Sequence, residues 1–439
     1  MKSQQTFAKT FSCGMRAVVA IAVIAAGTSA RAGTNYKVIH NFTGSAASGS
    51  FPVGNLVADA AGNFYGVTSQ SADTSGFCYD TGCGAIFKLY PTAAGGWAAA
   101  NLHTFTGGLD GDSPQGGLVM DAAGNLYGTT SLGGVDSLGD VFELTPTSSG
   151  GWKYSVIYNF GYPITEGGEE PEGTMVVDSA GNLYGSTVGG GAEGYGTIFE
   201  LSPSSSGTWT ETILYSFLES SGRGPEGALI FDSAGNLYGT TYNGGDLACG
   251  YGIGCGTVFE LSPNGSGGWS ESVLHSFTGG FGEGKYPAYA GVIFDSAGNL
   301  YGTTSGGGHN SECDGGCGTV YKLSPNGSGG WTETVIHSFT GSDGTPGAGG
   351  AWPVYSLTAD ASGNLYGNTY LGGTAGEGVV FKMTPSGSGW VESVVHSFSG
   401  SGGERPYNSG LVFGPGGLLY GMTALGGTMG FGTVFEVTP

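Results

Sequence analysis

An eight-residue pattern, Asp-x-x-Gly-Asn-Leu-Tyr-Gly, recurs along this chain and constrains its fold more than any other feature. Six copies begin at Asp59, Asp121, Asp178, Asp232, Asp295 and Asp360, and a degenerate seventh begins at Gly414. Successive copies follow one another at 54 to 65 residues. A repeat of this size is one supersecondary unit, which buries its apolar face only against its neighbours. The pattern therefore predicts one continuous repeat domain.

Each repeat contains four short runs that are typical of β-strands. In the fourth copy they are residues 227–232 (GALIFD), 236–241 (NLYGTT), 256–261 (GTVFEL) and 269–277 (WSESVLHSF). Gly- and Ser-rich turn material separates them, which indicates an antiparallel meander. Helical periodicity is absent from the sequence after the first 32 residues.

The two ends of the chain indicate that the repeats close into a ring. The third-strand motif occurs seven times, and a fourth-strand motif follows it in only six of the repeats. The seventh third strand is the last one in the sequence, which stops at Pro439. The missing fourth strand is found at the beginning, where residues 36–42 (YKVIHNF) match ESVLHSF. A first strand that completes the last blade removes most exposed sheet edges. We therefore predict an all-β, seven-bladed β-propeller of four-stranded antiparallel blades.

The repeat also resembles a known family. The run 232–241 (DSAGNLYGTT), followed by 256–261 (GTVFEL), is similar to the GloVer tandem-repeat proteins of bacteria and, more distantly, to NHL-type propeller repeats. The resemblance extends over residues 36–439. It implies a propeller fold and export from the cell, since members of the group are typically exported. It brings no catalytic motif to any residue of this chain.

The first 32 residues read as a secretory signal peptide, which leaves residues 33–439 as a single domain. Lys2, Lys9 and Arg16 precede an apolar run too short to span a bilayer, and Ala30-Arg31-Ala32 has the small-x-small pattern of a cleavage site. The remaining chain has eight basic and 34 acidic residues, a net charge of −26. Such a chain is a poor partner for nucleic acid or anionic membranes. We expect an exported monomer with no membrane insertion after signal cleavage.

Six cysteines remain after the signal segment, in three close pairs: Cys78 with Cys83, Cys249 with Cys255, and Cys313 with Cys317. An even count in an exported chain favours disulfides. The alternative is a zinc site, but the spacings differ and no matching histidine pair follows. We predict three bridges that staple the same loop in three repeats.

Residues that recur in every repeat are interpreted as structural. The Asp of each motif is expected to cap backbone N–H groups of its turn, and the tryptophans that begin the fourth strands are expected to pack. His40, His103, His275, His337 and His396 share a register with Tyr158 and Tyr215. Histidine and tyrosine are both aromatic with a polar group at the tip, so this register is expected to hold a side chain that is hydrogen-bonded within or between blades.

A proline precedes each inner strand, and the residues around these prolines should surround the mouth of the central channel. One sector is aromatic and is predicted to bind ligand through Phe51, Tyr286, Tyr289, Trp352, Tyr355 and Tyr407. The facing sector is acidic. Glu172 and Glu226 occupy equivalent positions there and are candidates for a general acid and base, with the loop residue His309 as a further catalytic candidate. Asp110 and Asp112 are candidate Ca²⁺ ligands, although no cofactor is firmly implied.

Aromatic platforms beside carboxylates suit a sugar, because rings stack on C–H faces and carboxylates accept hydroxyl hydrogen bonds. The sequence thus favours a non-catalytic propeller that binds a glycan or an extracellular protein. A polysaccharide hydrolase or lyase acting at the mouth and a purely structural surface repeat protein are the alternatives.

Overall fold

The computed structural model describes residues 36–439 except 72–77, 79–81, 165–166, 288, 310–312, 314 and 342–349. The predicted signal peptide, residues 1–32, lies outside this part. The described chain is built from β-strands, with short 3₁₀ turns at Gly250–Gly252, Gly400–Gly402 and Pro415–Gly417. Within the same residues, no helix is long and apolar enough to cross a membrane.

The strands form seven four-stranded antiparallel blades, numbered here in chain order. Blade 1 contains Ser50–Ala58, Phe64–Gln70, Ala85–Pro91 and Trp97–Thr104; blade 2, Val119–Met120, Leu126–Thr130, Asp140–Pro146 and Trp152–Asn159; blade 3, Val176–Val177, Leu183–Thr187, Thr197–Pro203 and Trp209–Ser216; blade 4, Ile230–Phe231, Leu237–Thr241, Thr257–Pro263 and Trp269–Ser276. Blade 5 contains Ile293–Phe294, Leu300–Thr304, Thr319–Pro325 and Trp331–Ser338; blade 6, Gly350–Pro353 and Thr358–Ala359 as a split inner strand, Leu365–Gly372, Val379–Ser386 and Gly389–Ser397; blade 7, Val412–Phe413, Leu419–Thr423, Thr433–Val437 and Tyr36–Asn41. Two short ribbons pair Gly168–Glu169 with Gly189–Gly190 and Gly284–Lys285 with Gly306–Gly307.

The predicted ring closure is confirmed. Tyr36–Asn41 pairs antiparallel with Thr433–Val437, with Tyr36 opposite Val437 and Asn41 opposite Thr433. The residue that follows the strand, Phe42, is fully buried and meets Phe87 of blade 1 edge-on at a ring-centroid distance of 5.1 Å. The first and last parts of the chain therefore share one sheet, and that sheet packs against blade 1.

The same aromatic contact joins other neighbouring blades. The ring centroids of Phe217 and Phe259 are 5.1 Å apart, and those of Phe398 and Phe435 are 5.2 Å apart, each pair in an edge-to-face arrangement. Edge-to-face pairs of this kind are worth about 0.5–1.5 kcal/mol beyond the area they bury. The core is thus spread around the ring as blade-to-blade contacts.

Inner strands are shorter than predicted, with two paired residues in most blades. The physical reason is that the segment before each one packs against the next blade. A Cβ atom on Gly116 would lie 2.8 Å from the carbonyl oxygen of Gly173, so only glycine fits there. From the second strands, Thr240 and Thr303 donate hydroxyl hydrogen bonds to the inner segments of the following blades, at Ala290 and Tyr355.

The turn chemistry predicted for the repeated motif is confirmed. In blade 4, Asp232 Oδ1 accepts from the backbone N–H groups of Ala234 and Asn236 at 2.8 and 2.9 Å, and Oδ2 accepts from the Asn236 amide and the Tyr238 hydroxyl. Gly235 has φ +89°, a conformation that glycine adopts without a steric penalty. One aspartate thus fixes both the turn and the start of the next strand.

The predicted register of outer-strand aromatics is also observed. Tyr158 of blade 2 donates to Glu211 of blade 3 at 2.7 Å, and His103 of blade 1 stacks on Tyr154 of blade 2 at 3.7 Å. Burial lowers the pKa of His337 and His396 to about 4, which keeps both neutral near pH 7. These residues join blades at the rim of the propeller.

Candidate functional site

The mouth of the channel is built on seven residues that precede the inner-strand prolines. Each has a left-handed backbone, with φ between 51° and 64°, and each donates its N–H to the carbonyl of the residue two positions before the third strand of the preceding blade. The seven are Phe51, Ser113, Glu170, Gly224, Tyr286, Trp352 and Arg405. Such a conformation costs a non-glycine residue about 1–3 kcal/mol. Its sevenfold recurrence shows that it belongs to the scaffold, while the side chain at this position changes from blade to blade.

An open cavity of about 370 Å³ lies in the sector of blades 5 to 7. Its aromatic walls are Tyr286, Trp352, Tyr370 and Tyr407, and Lys285 adds an ammonium group that lies 5.3 Å from the centroid of the Tyr286 ring. Cavities of this size, apolar with a few polar groups, are typical of small-ligand sites.

Contacts among the walls hold the rings in place. Trp352 and Tyr370 are nearly parallel, at 16° and 6.4 Å, and the Trp352 indole N–H donates to the carbonyl of Gly316 at 3.2 Å. Tyr407 meets Tyr370 at 5.7 Å. Because these side chains are fixed before any ligand arrives, binding on them loses little side-chain entropy.

The predicted aromatic residues divide into three groups. Tyr286, Trp352 and Tyr407 line the cavity, whereas Tyr289 and Phe51 adjoin it through ring contacts with Tyr407 at 6.0 and 5.8 Å. Tyr355 differs from the expectation of a platform at the mouth, because it is only 6% exposed. The proline-proximal pattern could not separate it from the others, since it lies only one residue deeper along the inner segment than Val354, which lines the cavity.

Tyr355 is buried below the mouth and reaches across the channel. Its hydroxyl lies 3.0 Å from that of Thr174 in blade 3, and Thr174 accepts from the backbone N–H of Gly117 in blade 2 at 2.7 Å. A second link runs from the Asn408 amide of blade 7 to the carbonyl of Gln115 at 3.1 Å. Hydrogen bonds between non-adjacent blades therefore cross the interior of the ring.

Two aromatic residues near the mouth were missed by the sequence reasoning. Tyr370 lines the cavity, and Tyr242 meets Tyr286 at 5.2 Å. Each directly follows the threonine near the end of its second strand, Thr241 or Thr369. In the other blades this position is held by Ser69, Ser131, Val188, Ser305 and Ala424. Alignment of that one register would have found them, because the ends of the second strands reach the same face.

Glu172 and Glu226 each follow a proline of the mouth and lie close enough to interact. Burial raises the pKa of Glu172 to about 7, with a smaller contribution from the charge of Glu170. Burial also raises the pKa of Glu226 to about 8, and the charge of Glu172 adds to that increase. Within the described residues neither glutamate forms an ion pair.

The charges of the two glutamates act on two of the aromatic residues at the mouth. Burial raises the pKa of Tyr289, and the charges of Glu172 and Glu226 contribute; the same two charges act on Tyr407. The aromatic and acidic sectors therefore belong to one mouth. A carboxyl group that keeps its proton near pH 7 can donate a hydrogen bond as well as accept one, and it can act as a general acid.

The remaining candidates lie elsewhere. His309 is exposed in the blade 5 loop, where Nδ1 lies 3.0 Å from the Ser338 hydroxyl and the ring meets Phe281 edge-on. Asp110 is held by His103 at 3.2 Å and by the backbone N–H of Thr106, and Asp112 accepts from the Ser113 hydroxyl at 2.8 Å. These carboxylates are engaged locally, so calcium binding by them stays a prediction.

Three disulfides are present, with the predicted pairing: Cys78–Cys83, Cys249–Cys255 and Cys313–Cys317. Because all six cysteines are in disulfides, none of their thiolates is free to bind zinc, and the zinc alternative is excluded for them. Cys255 and Cys317 also accept, through their carbonyls, the N–H groups of Tyr286 and Trp352 at 2.8 Å each. Two of the bridges therefore support the backbone that carries two cavity residues.

Fold and site together define a seven-bladed β-propeller whose variable loops surround an aromatic and acidic mouth. The Gloeobacter/Verrucomicrobia repeat model matches residues 27–167, 148–351 and 314–439, and the chain belongs to this family. A search of curated proteins finds no match.

Among solved structures, the chain is similar to the extracellular domain of a protein described as the one component system BT4673 from B. thetaiotaomicron. The identity is 14% and the TM-score 0.51, over 92% of this chain and 42% of that one. The chain thus spans less than half the length of that relative, and the likeness shows the fold alone. A protein of unknown function from Dyadobacter fermentans is 11% identical, with a TM-score of 0.43, over 92% of this chain and 98% of that one.

Proposed function

We propose that this protein is an exported, non-catalytic propeller that binds a glycan at the mouth of its channel. The observation that carries the proposal is the cavity walled by Tyr286, Trp352, Tyr370 and Tyr407. Planar side chains stack on the C–H faces of pyranose rings, and four of them around one cavity favour a sugar over a flat protein surface.

Polar groups at the same mouth fit the hydroxyls of such a ligand. Lys285 donates hydrogen bonds, and Glu172 and Glu226, with pKa values raised by burial to about 7 and 8, donate or accept according to protonation. A neutral carboxyl also avoids the cost of covering an unpaired charge when the ligand excludes water.

Export is supported by two independent features. The signal-like residues 1–32 end in a small-x-small motif, and three short-range disulfides persist only in an oxidising compartment. Glycans outside the cell are then the accessible ligand class.

A polysaccharide hydrolase is the second candidate. It is favoured by the charge interaction between Glu172 and Glu226, because two carboxyl groups are the usual acid and base of glycoside hydrolysis. Non-catalytic binding is preferred because Trp352, Tyr370 and Lys285 line the cavity and the glutamates do not.

The test measures binding and turnover on one panel of polysaccharides, by calorimetry and by release of reducing ends. We expect binding without turnover, weakened at least tenfold by Trp352→Ala. Tyr90→Ala is the matched control, because Tyr90 is a partly exposed aromatic residue at the turn between the third and fourth strands of blade 1, away from the mouth.

Turnover that Glu226→Gln abolishes would favour the hydrolase instead. Binding that is unchanged by Trp352→Ala, or equally weakened by Tyr90→Ala, would contradict the proposed site. If no panel member is bound or cleaved, the glycan proposal fails and the structural surface protein is favoured.

A further inference from the structure

A second group of chemically active side chains lies at the seam between blades 4 and 5. His275 is on the outer strand Trp269–Ser276, Glu333 is on the outer strand Trp331–Ser338, and Glu283 is in the loop between the two blades. One ligand atom from each lies within 4.8 Å of the other two, and all three residues are half-buried. This group is called the seam cluster below.

The atoms of the seam cluster are only partly satisfied: His275 and Glu283 are within ion-pair distance, and Glu283 Oε2 accepts from the Thr278 hydroxyl. His275 Nε2 is 3.2 Å from Glu283 Oε1, yet Nε2 is buried and has no partner in hydrogen-bond geometry among the described residues. Glu333 Oε1 is likewise buried and unpartnered there. Buried polar atoms are nearly always paired. The corresponding His337 Nε2 and Glu392 Oε1 between blades 5 and 6 are also buried and unpartnered, so among the described residues the seam cluster is distinguished by its third ligand atom, from Glu283.

Two other seams carry different residues at these positions. Tyr158 takes the place of His275 between blades 2 and 3 and donates to Glu211 at 2.7 Å. Between blades 1 and 2, His103 has a loop carboxylate, Asp110, at 3.2 Å, but Tyr154 stands in the place of Glu333 and stacks on the imidazole. Among the described residues, which leave out 342–349 in the loop between blades 5 and 6, imidazole, loop carboxylate and facing carboxylate come together only between blades 4 and 5.

We propose that the seam cluster binds a divalent transition cation of the zinc type. Imidazole nitrogen and carboxylate oxygen are both ligands of Zn²⁺, whereas Ca²⁺ prefers oxygen alone. Three protein ligands from two blades and their loop leave a further position for water. The cation supplies the positive charge that this seam lacks, since no lysine or arginine of the described chain forms an ion pair with either glutamate.

The position of the cluster gives the cation a structural consequence. Glu283 is followed by the short strand Gly284–Lys285 and then by Tyr286, so the loop that supplies one ligand also carries two residues of the mouth cavity. A bound cation would fix that loop to blade 5. The metal proposal itself does not depend on any ligand at the mouth.

The experiment titrates the full secreted chain, stripped of metal by a chelating resin, with Zn²⁺ and separately with Ca²⁺ in a calorimeter. Thermal unfolding is followed with and without each ion. We expect one Zn²⁺ per chain, an unfolding midpoint raised by several degrees in excess Zn²⁺, and much weaker binding of Ca²⁺.

Two variants and a control make the result specific. His275→Tyr installs the residue that this register carries in blades 2 and 3, so the blade should fold, and Glu333→Gln removes the facing charge with little change of shape. Both should lose Zn²⁺ binding at least tenfold. Glu271→Gln alters the same register one blade earlier, where Tyr215 faces it, and should bind like the parent chain.

No Zn²⁺ uptake by the parent chain at millimolar metal would overturn the proposal. So would retention of the same affinity by His275→Tyr, or a loss of affinity in Glu271→Gln as large as in Glu333→Gln. Because the readout is metal binding, failure here leaves the glycan proposal untouched, and failure of the glycan screen leaves this one untouched.

Discussion

The hydroxyl of Tyr355 in blade 6 lies 3.0 Å from the hydroxyl of Thr174 in blade 3, across the axis of the propeller. These residues are 181 positions apart in the sequence. Their contact ties opposite blades together across the channel beneath the mouth. Because Tyr355 is not one of the residues that line the cavity, a substitution there tests the contribution of this contact to stability.

Tyr355→Phe should lower the free energy of unfolding by about 0.5–1.5 kcal/mol, because it removes one buried hydrogen bond and leaves the ring in place. Urea unfolding measures the change. Tyr90→Phe, at a partly exposed position, is the control and should be neutral. Equal effects for the two variants would show that the axial hydrogen bond adds nothing to stability.

Asp140→Thr should stabilise the protein at pH 8. Asp140 is fully buried opposite Thr130, at a position where blades 3, 4, 5 and 7 have paired threonines, and burial raises its pKa to about 7. A raised carboxyl pKa favours the protonated form in the folded state. The folded protein therefore loses stability relative to the unfolded chain as the pH rises from about 4, the ordinary pKa of aspartate, to about 7.

The gain from Asp140→Thr should thus reach up to about 4 kcal/mol at pH 8 and be smaller at pH 5. Urea midpoints of variant and parent at the two pH values give the difference directly. A gain that is the same at both pH values would mean that Asp140 is not protonated by burial.

Glu172→Gln should lower the pKa of Glu226. Burial is the larger cause of the value near 8 and remains, but the charge of Glu172 also raises it and is removed by the substitution. Carbon-13 NMR titration of labelled glutamate side chains measures the pKa. Glu377→Gln, which breaks the ion pair with Arg405, is the control and should leave the Glu226 titration in place.

Phe42→Ala should destabilise the protein by about 3–5 kcal/mol, as truncation of a buried phenylalanine does. Phe42 is fully buried between blades 7 and 1, as Phe277 is between blades 4 and 5. Calorimetric and urea unfolding of Phe42→Ala and Phe277→Ala should therefore show similar losses. A markedly smaller loss for Phe42→Ala would mean that the ring is open at its seam in solution.

Much of the architecture could be predicted from the sequence because the same strand and turn pattern recurs in seven repeats. The aspartate of each turn, the strand order and the disulfide pairs depend on residues close together in the chain, where spacing limits what can pair. Even one long-range contact could be predicted. Residues 36–42 match the fourth-strand motif but stand apart from the other strands of a repeat, which indicated that they complete the last blade. The exact ends of the inner strands were not visible, because the neighbouring blade, and not the local sequence, sets where pairing stops.

The sequence by itself determined a closed ring of seven blades, its capping turns and the face on which the variable loops lie. Only the tertiary structure decided which mouth residues form the cavity, that Tyr355 contacts Thr174 across the channel, and that His275 meets Glu283 and Glu333. The reason is physical: a repeat fixes each residue's place within its blade, but contacts across the axis and between blades depend on how neighbouring blades pack. Side chains one residue apart on an inner segment can therefore face a ligand or a buried hydrogen bond.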